Sequence, residues 1–207
     1  MPEKKFSSVV SSTSAIIQQQ LEDGTFHRLD YTTSPPDDHP IYALVGRVAA
    51  AWALLEHTLD EIIWALSGMD RVDGACLTAQ MMGTTPRYSA IIAQLTLRKD
   101  SEPEFEKHLA RTQALLNKTY EPQEKRNRIL HDVWLADMAS DSTAQFRAWP
   151  RKQLVYGIRD VDLKDILSTI EDIQKLTASV YALDLDIRAD IGASLRKRQL
   201  PQPSSPL

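Results

Sequence analysis

The sequence predicts an all-α protein: a helical bundle of about four to six helices with a small β-hairpin inserted before the last long helix. Three observations carry that prediction. Ile41, Leu44, Val45, Val48, Trp52, Leu55, Leu59, Ile62, Ile63 and Leu66 recur at the three- and four-residue spacing that lines one helix face. A second stripe of the same period runs through Leu163, Ile166, Leu167, Ile170, Ile173, Leu176 and Val180. Between them, Phe146, Trp149, Leu154, Val155, Tyr156 and Ile158 flank Pro150-Arg151-Lys152, an aromatic and β-branched texture on both sides of a turn.

Taken in chain order, residues 1–37 read as a flexible N-terminal arm, Ser-rich and then broken by Asp23-Gly24 and Ser34-Pro35-Pro36, with one short helix around Ser14 to Leu21. Residues 38–192 form the helical domain. Its first helix runs from Ile41 to the Ser67-Gly68 stop. A second helical region after Asp73-Gly74 holds Leu77, Met81 and Met82 and is interrupted at Gly83-Thr84-Thr85-Pro86, a kink or a restart at which Thr84 or Thr85 caps the next helix. That helix carries Tyr88, Ile91, Ile92, Leu95 and Leu97. Ser101-Glu102-Pro103-Glu104 starts another, with Phe105, Leu109, Leu115 and Leu116 as a weaker stripe that Pro122 bends. The hairpin falls at about residues 142–159, Asp162 opens the final helix, and residues 193–207 are a basic and then Pro/Ser-rich tail.

Bulk properties narrow the function classes. A chain of 207 residues with 43% apolar content is long enough for one well-buried domain. The single Cys76 excludes an internal disulfide and a thiolate metal site, which points to a reducing compartment and a cytoplasmic address. The longest apolar run, Val48 to Leu55, is too short to span a bilayer, so no membrane is expected. A formal charge of −4 argues against non-specific coating of nucleic acid but leaves room for a local basic pocket. Basic residues gather at Arg87 with Arg98 and Lys99, at Lys125 with Arg126 and Arg128, and at Arg196-Lys197-Arg198; the first and last read as solvated surface.

The most specific signal is Arg126-Asn127-Arg128-Ile129-Leu130-His131, running into Asp132-Val133-Trp134. On a helix Asn127 and His131 share a face, Arg126 lies about 100° round from Asn127, and Leu130 with Trp134 forms a neighbouring apolar stripe. The residue types suit a phosphodiester. When a ribose 2′-hydroxyl attacks the adjacent phosphorus, an imidazole titrating near neutral pH can take its proton or protonate the leaving oxygen. A forked, permanently charged guanidinium suits the phosphoryl oxygens, and an amide can orient the imidazole or donate to an oxygen.

Arg126-Asn127-x-x-x-His131, late in a helical chain and preceded by a long helix reading Trp52-Ala-Leu-Leu-Glu56-His57, resembles the HEPN domains (higher eukaryotes and prokaryotes nucleotide-binding) over roughly residues 40 to 190. The resemblance implies a bundle that forms a homodimer and brings two motifs into one cleft. It also implies a metal-independent endoribonuclease of a toxin or antiviral defence system, leaving 2′,3′-cyclic phosphate ends on RNA and needing no cofactor. Arg126 and His131 would then be catalytic, Asn127 supportive, and Glu56 the polar residue that some members contribute from an earlier helix. Arg128 and Lys125 would contact the nucleic acid, and an antitoxin or nucleotidyltransferase is the implied partner protein. Asp132 departs from the pattern, since many relatives carry a small residue there. Some members keep the bundle without nuclease activity, so the alternative is a non-catalytic helical dimer that binds nucleotide, RNA or a partner protein.

Other candidates are poorer. His57 and Glu61 stand four residues apart but form only a two-ligand pair, expected to be ordinary helix surface or an ion pair. Glu56, Asp60 and Glu61 read as a wet face, Asp37-Asp38-His39 as a turn or helix cap, and His27 and His108 as lacking company. Met81, Met82 and the four tryptophans are expected to pack.

Overall fold

A computed structural model describes residues 6–11, 14–20, 26–32, 34–137, 143–150 and 154–199. Three strands open the chain: β1 (Phe6–Ser11), β2 (Ser14–Gln20) and β3 (Phe26–Thr32). Four helices follow: α1 (Pro40–Ser67), α2 (Arg71–Thr78), α3 (Thr84–Lys99) and, after a 3-10 turn at Pro103–Phe105, α4 (Glu106–His131). Then come β4 (Val133–Asp137), β5 (Thr143–Pro150), β6 (Leu154–Asp160) and α5 (Leu163–Gln199). The helical bundle and the hairpin before its last long helix are as expected, with β5 and β6 as the two hairpin strands.

Two compact units divide the chain: one of Met1–Val48 and Arg126–Ser168, the other of Ala49–Lys125 and Thr169–Leu207. The first holds the sheet. Its strands lie in the order β1-β2-β3-β4-β5-β6, each antiparallel to the next, so the hairpin is the last part of a six-stranded meander. Residues 14–20, expected as a short helix, form β2 instead. Ser14-Ala15-Ile16-Ile17 has no helical stripe, and its backbone groups pair on both sides, with Val9↔Ile16 toward β1 and Ile16↔Asp30 toward β3. The arm therefore enters the sheet. At the start of α1 the backbone N–H of Ile41 donates to His39 Nδ1 (3.2 Å), which gives His39 the capping role that its Asp37-Asp38-His39 setting suggested.

Apolar residues from four helices form the core of the second unit. Trp52, Leu55, Leu59, Ile62 and Ile63 of α1 are buried, with Tyr88, Ile91 and Leu95 of α3, Leu109 and Leu115 of α4, and Ile170, Ile173, Val180, Leu183 and Ile187 of α5. Each such side chain contributes about 1.5–3 kcal/mol relative to exposure. Helix ends are fixed locally. Asp70 accepts from the backbone N–H groups of Val72 and Asp73 to cap α2, and the Asp162 carboxylate accepts from Lys164 N (2.9 Å) where α5 begins. Among the described residues no helix is long and apolar enough to cross a membrane.

Several local expectations change. The interruption before α3 is a restart, and its N-cap is Gly83, not Thr84 or Thr85; Gly83 sits at φ 76°, a left-handed conformation that favours glycine. Because α2 stops at Thr78, Met82 falls in the connection and is 86% exposed instead of packed. Asp60 and Arg87, read as wet surface, are 9% and 7% exposed and face each other across α1 and α3: Arg87 Nε lies 2.8 Å from Asp60 Oδ1, while its Nη1 donates to Met81 O and Gly83 O. A buried guanidinium needs that many acceptors. Gly74 has a packing reason, since a Cβ there would meet the Trp64 ring at 2.5 Å. The last helix continues to Gln199 and takes in Arg196-Lys197-Arg198, which the sequence assigned to the tail beyond residue 192.

Candidate functional site

The Arg-Asn-x-x-x-His string occupies the final turns of α4 in the first unit, with Pro122 inside the helix and not ending it. The helix stops at His131 because Asp132 is followed by Val133-Trp134-Leu135, a branched and aromatic run that enters β4. Trp134 is therefore not on the helix, and the expected Leu130–Trp134 stripe does not form.

Its indole does something else. The last four carbonyls of a helix lack intrahelical donors and need other partners. Ile129 O accepts from Trp134 Nε1 at 2.9 Å, and Arg128 O accepts from Asp132 N at 3.0 Å and from Gln145 Nε2 at 3.2 Å. Ile129 is buried, which anchors one side of the turn, while Asn127 and His131 on another side are exposed. Arg126, Arg128 and Asp132 are half-buried between these extremes. Arg126 Nη1 donates to Asn127 Oδ1 at 2.9 Å, so guanidinium and amide act as one pair. Arg128 and His131 set basic groups in the last turn, against the partial negative charge of the helix C-terminus.

The remaining predicted site residues lie in the second unit. Glu56 is half-buried on α1 and accepts from Trp52 Nε1 at 3.1 Å. Lys125 is already engaged: its Nζ lies 2.8 Å from Glu121 and 3.7 Å from Asp172, and the Glu121 hydrogen bond raises its pKa above the ordinary lysine value. His57 Nε2 lies 4.0 Å from Glu61 Oε1 on α1, and that oxygen also accepts from Arg71 at 3.3 Å, so the pair is helix surface and not a ligand set. Among the described residues no three His, Cys, Asp or Glu side chains gather where they could hold a metal ion. His27 lies on β3, where its side chain falls outside the described residues.

One cluster was not visible in the sequence. His108, expected to lack company, is 2% exposed, and its Nε2 lies 2.8 Å from Asp190 Oδ2 of α5. Lys107 Nζ reaches the same oxygen at 2.8 Å, and Arg111 Nη1 donates to Asp186 Oδ2 at 2.6 Å. With Ala189 these residues line a pocket of about 410 Å³. The hydrogen bonds from Lys107 and then His108 hold the Asp190 carboxyl below the usual range, and the bond to Asp190 raises Lys107. An ionised carboxylate only accepts, so His108 Nε2 carries the proton. Positive and negative groups alternate across the cluster, which fits a tie between α4 and α5 better than a site for a charged ligand. The 82 residues separating His108 from Asp190 explain why no local pattern revealed it.

No family model matches the chain, and neither a curated protein nor a solved structure does.

Proposed function

We propose that the chain is a HEPN-like, metal-independent endoribonuclease that works in the cytoplasm as a homodimer, in a toxin or antiviral defence setting. The observation that carries this reading is the exposed terminal turn of α4, where Asn127 and His131 stand one turn apart and Arg126 donates to Asn127 Oδ1 at 2.9 Å. In the proposed reaction the 2′-hydroxyl oxygen of RNA bonds to the adjacent phosphorus and the bond to the 5′-oxygen breaks. His131 of one copy takes the hydroxyl proton, and His131 of the second copy, in its protonated form, returns one to the leaving oxygen. The products are a 2′,3′-cyclic phosphate and a 5′-hydroxyl. Arg126 neutralises the phosphoryl oxygens and Asn127 orients the pair.

Arg128 would add phosphate contacts. Lys125, already paired with Glu121, and Glu56, already accepting from Trp52, are secondary to Arg126 and His131 in this reading. An antitoxin or nucleotidyltransferase would hold such an enzyme in check.

The test incubates purified wild-type and His131→Ala protein with total RNA in excess EDTA and identifies product ends by mass. Cyclic phosphate ends that disappear in the variant support the nuclease. RNA left intact by folded protein, with RNA or nucleotide binding unchanged in His131→Ala, moves the reading to a non-catalytic binding dimer.

A further inference from the structure

Trp134 and Gln145 are direct cross-strand partners on β4 and β5, so their side chains leave the sheet on the same face. From there they donate to two consecutive carbonyls of the terminal turn of α4: the Trp134 indole to Ile129 O at 2.9 Å, and the Gln145 amide to Arg128 O at 3.2 Å. Gln145 is only 6% exposed, so its amide is committed to this contact and not exchanging freely with water. Asp132 N also reaches Arg128 O, at 3.0 Å, continuing the helical pattern one residue past His131.

A helix C-terminus left to itself frays, because its last carbonyls have nothing to hold them. Here the fraying turn is the one that carries Asn127 and His131, whose side chains are exposed and receive little packing of their own. We propose that Trp134 and Gln145 are positioning residues, a two-pronged donor clamp through which the sheet fixes the turn presenting Asn127 and His131. This rests on the nuclease reading above for its consequence, while the clamp itself is a statement about the helix end.

The clamp connects two features that the sequence kept apart. β5 belongs to the hairpin, and the clamp gives that hairpin a task at the motif: Gln145 can reach Arg128 O only because β5 is registered against β4 with Trp134 opposite Gln145. A slip of β5 by one residue would turn Gln145 to the opposite face from Trp134 and remove one prong.

Two variants remove the donors and keep the bulk: Trp134→Phe, which retains an aromatic ring, and Gln145→Met, of similar length. Amide hydrogen exchange is measured on the full chain in wild type, both single variants and the double variant, with the amides of α3 as internal reference. Steady-state cleavage of a defined RNA is followed in parallel, well below the melting transition. The clamp predicts exchange of the Leu130, His131 and Asp132 amides faster by roughly two- to tenfold per lost bond, with α3 unchanged. It predicts kcat down by roughly tenfold or more in the double variant with KM little changed, because misplacement of the reacting group costs turnover while binding persists.

A merely structural role would lower the melting temperature without that split. Unchanged exchange at residues 130–132 overturns the clamp, whatever happens to cleavage. Faster exchange with kcat intact overturns its positioning role. A wild-type protein that cleaves nothing removes the nuclease reading alone, and the exchange rates still decide whether the two side chains hold the turn.

Discussion

Two histidines ride on α4, and they live under opposite rules. His108, in the helix's first turn, is buried and bound to Asp190 of α5, with Lys107 on the same carboxylate oxygen. His131, the last residue of the helix, is exposed, and the neighbouring polar groups of its turn are set by Arg126, Asn127 and the two clamp donors. The first kind of histidine is used up by the fold: its hydrogen bond serves helix–helix attachment. The second leaves its imidazole to solvent, which costs little stability and keeps it accessible to a reactant. In the helical unit the buried polar groups work for stability, as Asp60 with Arg87 and Tyr88 with Thr119 also do.

Substitutions should separate the two regions. The largest effect is expected at the motif: His131→Ala should lower RNA cleavage by roughly 10²- to 10⁴-fold, the range of a lost acid–base group, while chemical denaturation moves by less than about 0.5 kcal/mol. A large stability loss there would erase the contrast. Asp60→Ala is the converse, stranding the buried Arg87 guanidinium and costing about 3–5 kcal/mol in a denaturant titration. The rate per folded molecule should stay that of wild type.

Tyr88 offers a pH test of the helical unit. Burial pushes its hydroxyl up to about 12 from an ordinary value of 10.0, so the folded state binds that proton more tightly than the unfolded chain does. Its contribution is complete below pH 10 and is lost as pH rises from 10 toward 12, by up to about 2–3 kcal/mol. Melting curves of Tyr88→Phe should lose part of that alkaline decline, less whatever the missing bond to Thr119 costs at all pH values. A decline of unchanged steepness would mean that the phenol is not what titrates.

Gly74→Ala should cost about 1–3 kcal/mol, because the new methyl meets the Trp64 ring; pairing it with Trp64→Leu should return part of the loss in a double-mutant cycle. The smallest effect belongs to Asp190. Its folded-state pKa is depressed, so its stabilisation is present above the unfolded aspartate value and disappears as pH falls through the folded one. Stability should therefore drop on the acid side, below about pH 4, and Asp190→Asn should flatten that slope. Equal slopes in the two proteins would show that the Asp190 carboxylate, paired with Lys107 and His108, is not what titrates.

How much could be read without the fold depended on how far apart the deciding residues lie. The stripes of α1 and α5 and the Asp162 cap are local patterns and legible as such, although α5 runs on to Gln199, past the boundary expected at residue 192. Met82 escapes the local reading because its packing depends on where α2 stops, and Asp60 because the partner that lets it be buried is on α3. Trp134 was read on the helix by periodicity alone. Its branched and aromatic neighbours, and pairing with β5, put it on a strand.

The sequence by itself determined the helical periods, the His39 and Asp162 caps, the hairpin texture and the presence of Arg126, Asn127 and His131 on one helix, because each depends on residues within a few positions of one another. Only the tertiary structure decided that residues 6–11, 14–20 and 26–32 pair as strands, that the buried Arg87 and His108 are spent on carboxylates of other helices, and that Trp134 and Gln145 converge on the end of α4. Those outcomes depend on backbone and side-chain groups finding partners far along the chain. Burial sets the cost of failing to find one, and no local pattern records which partner will be there.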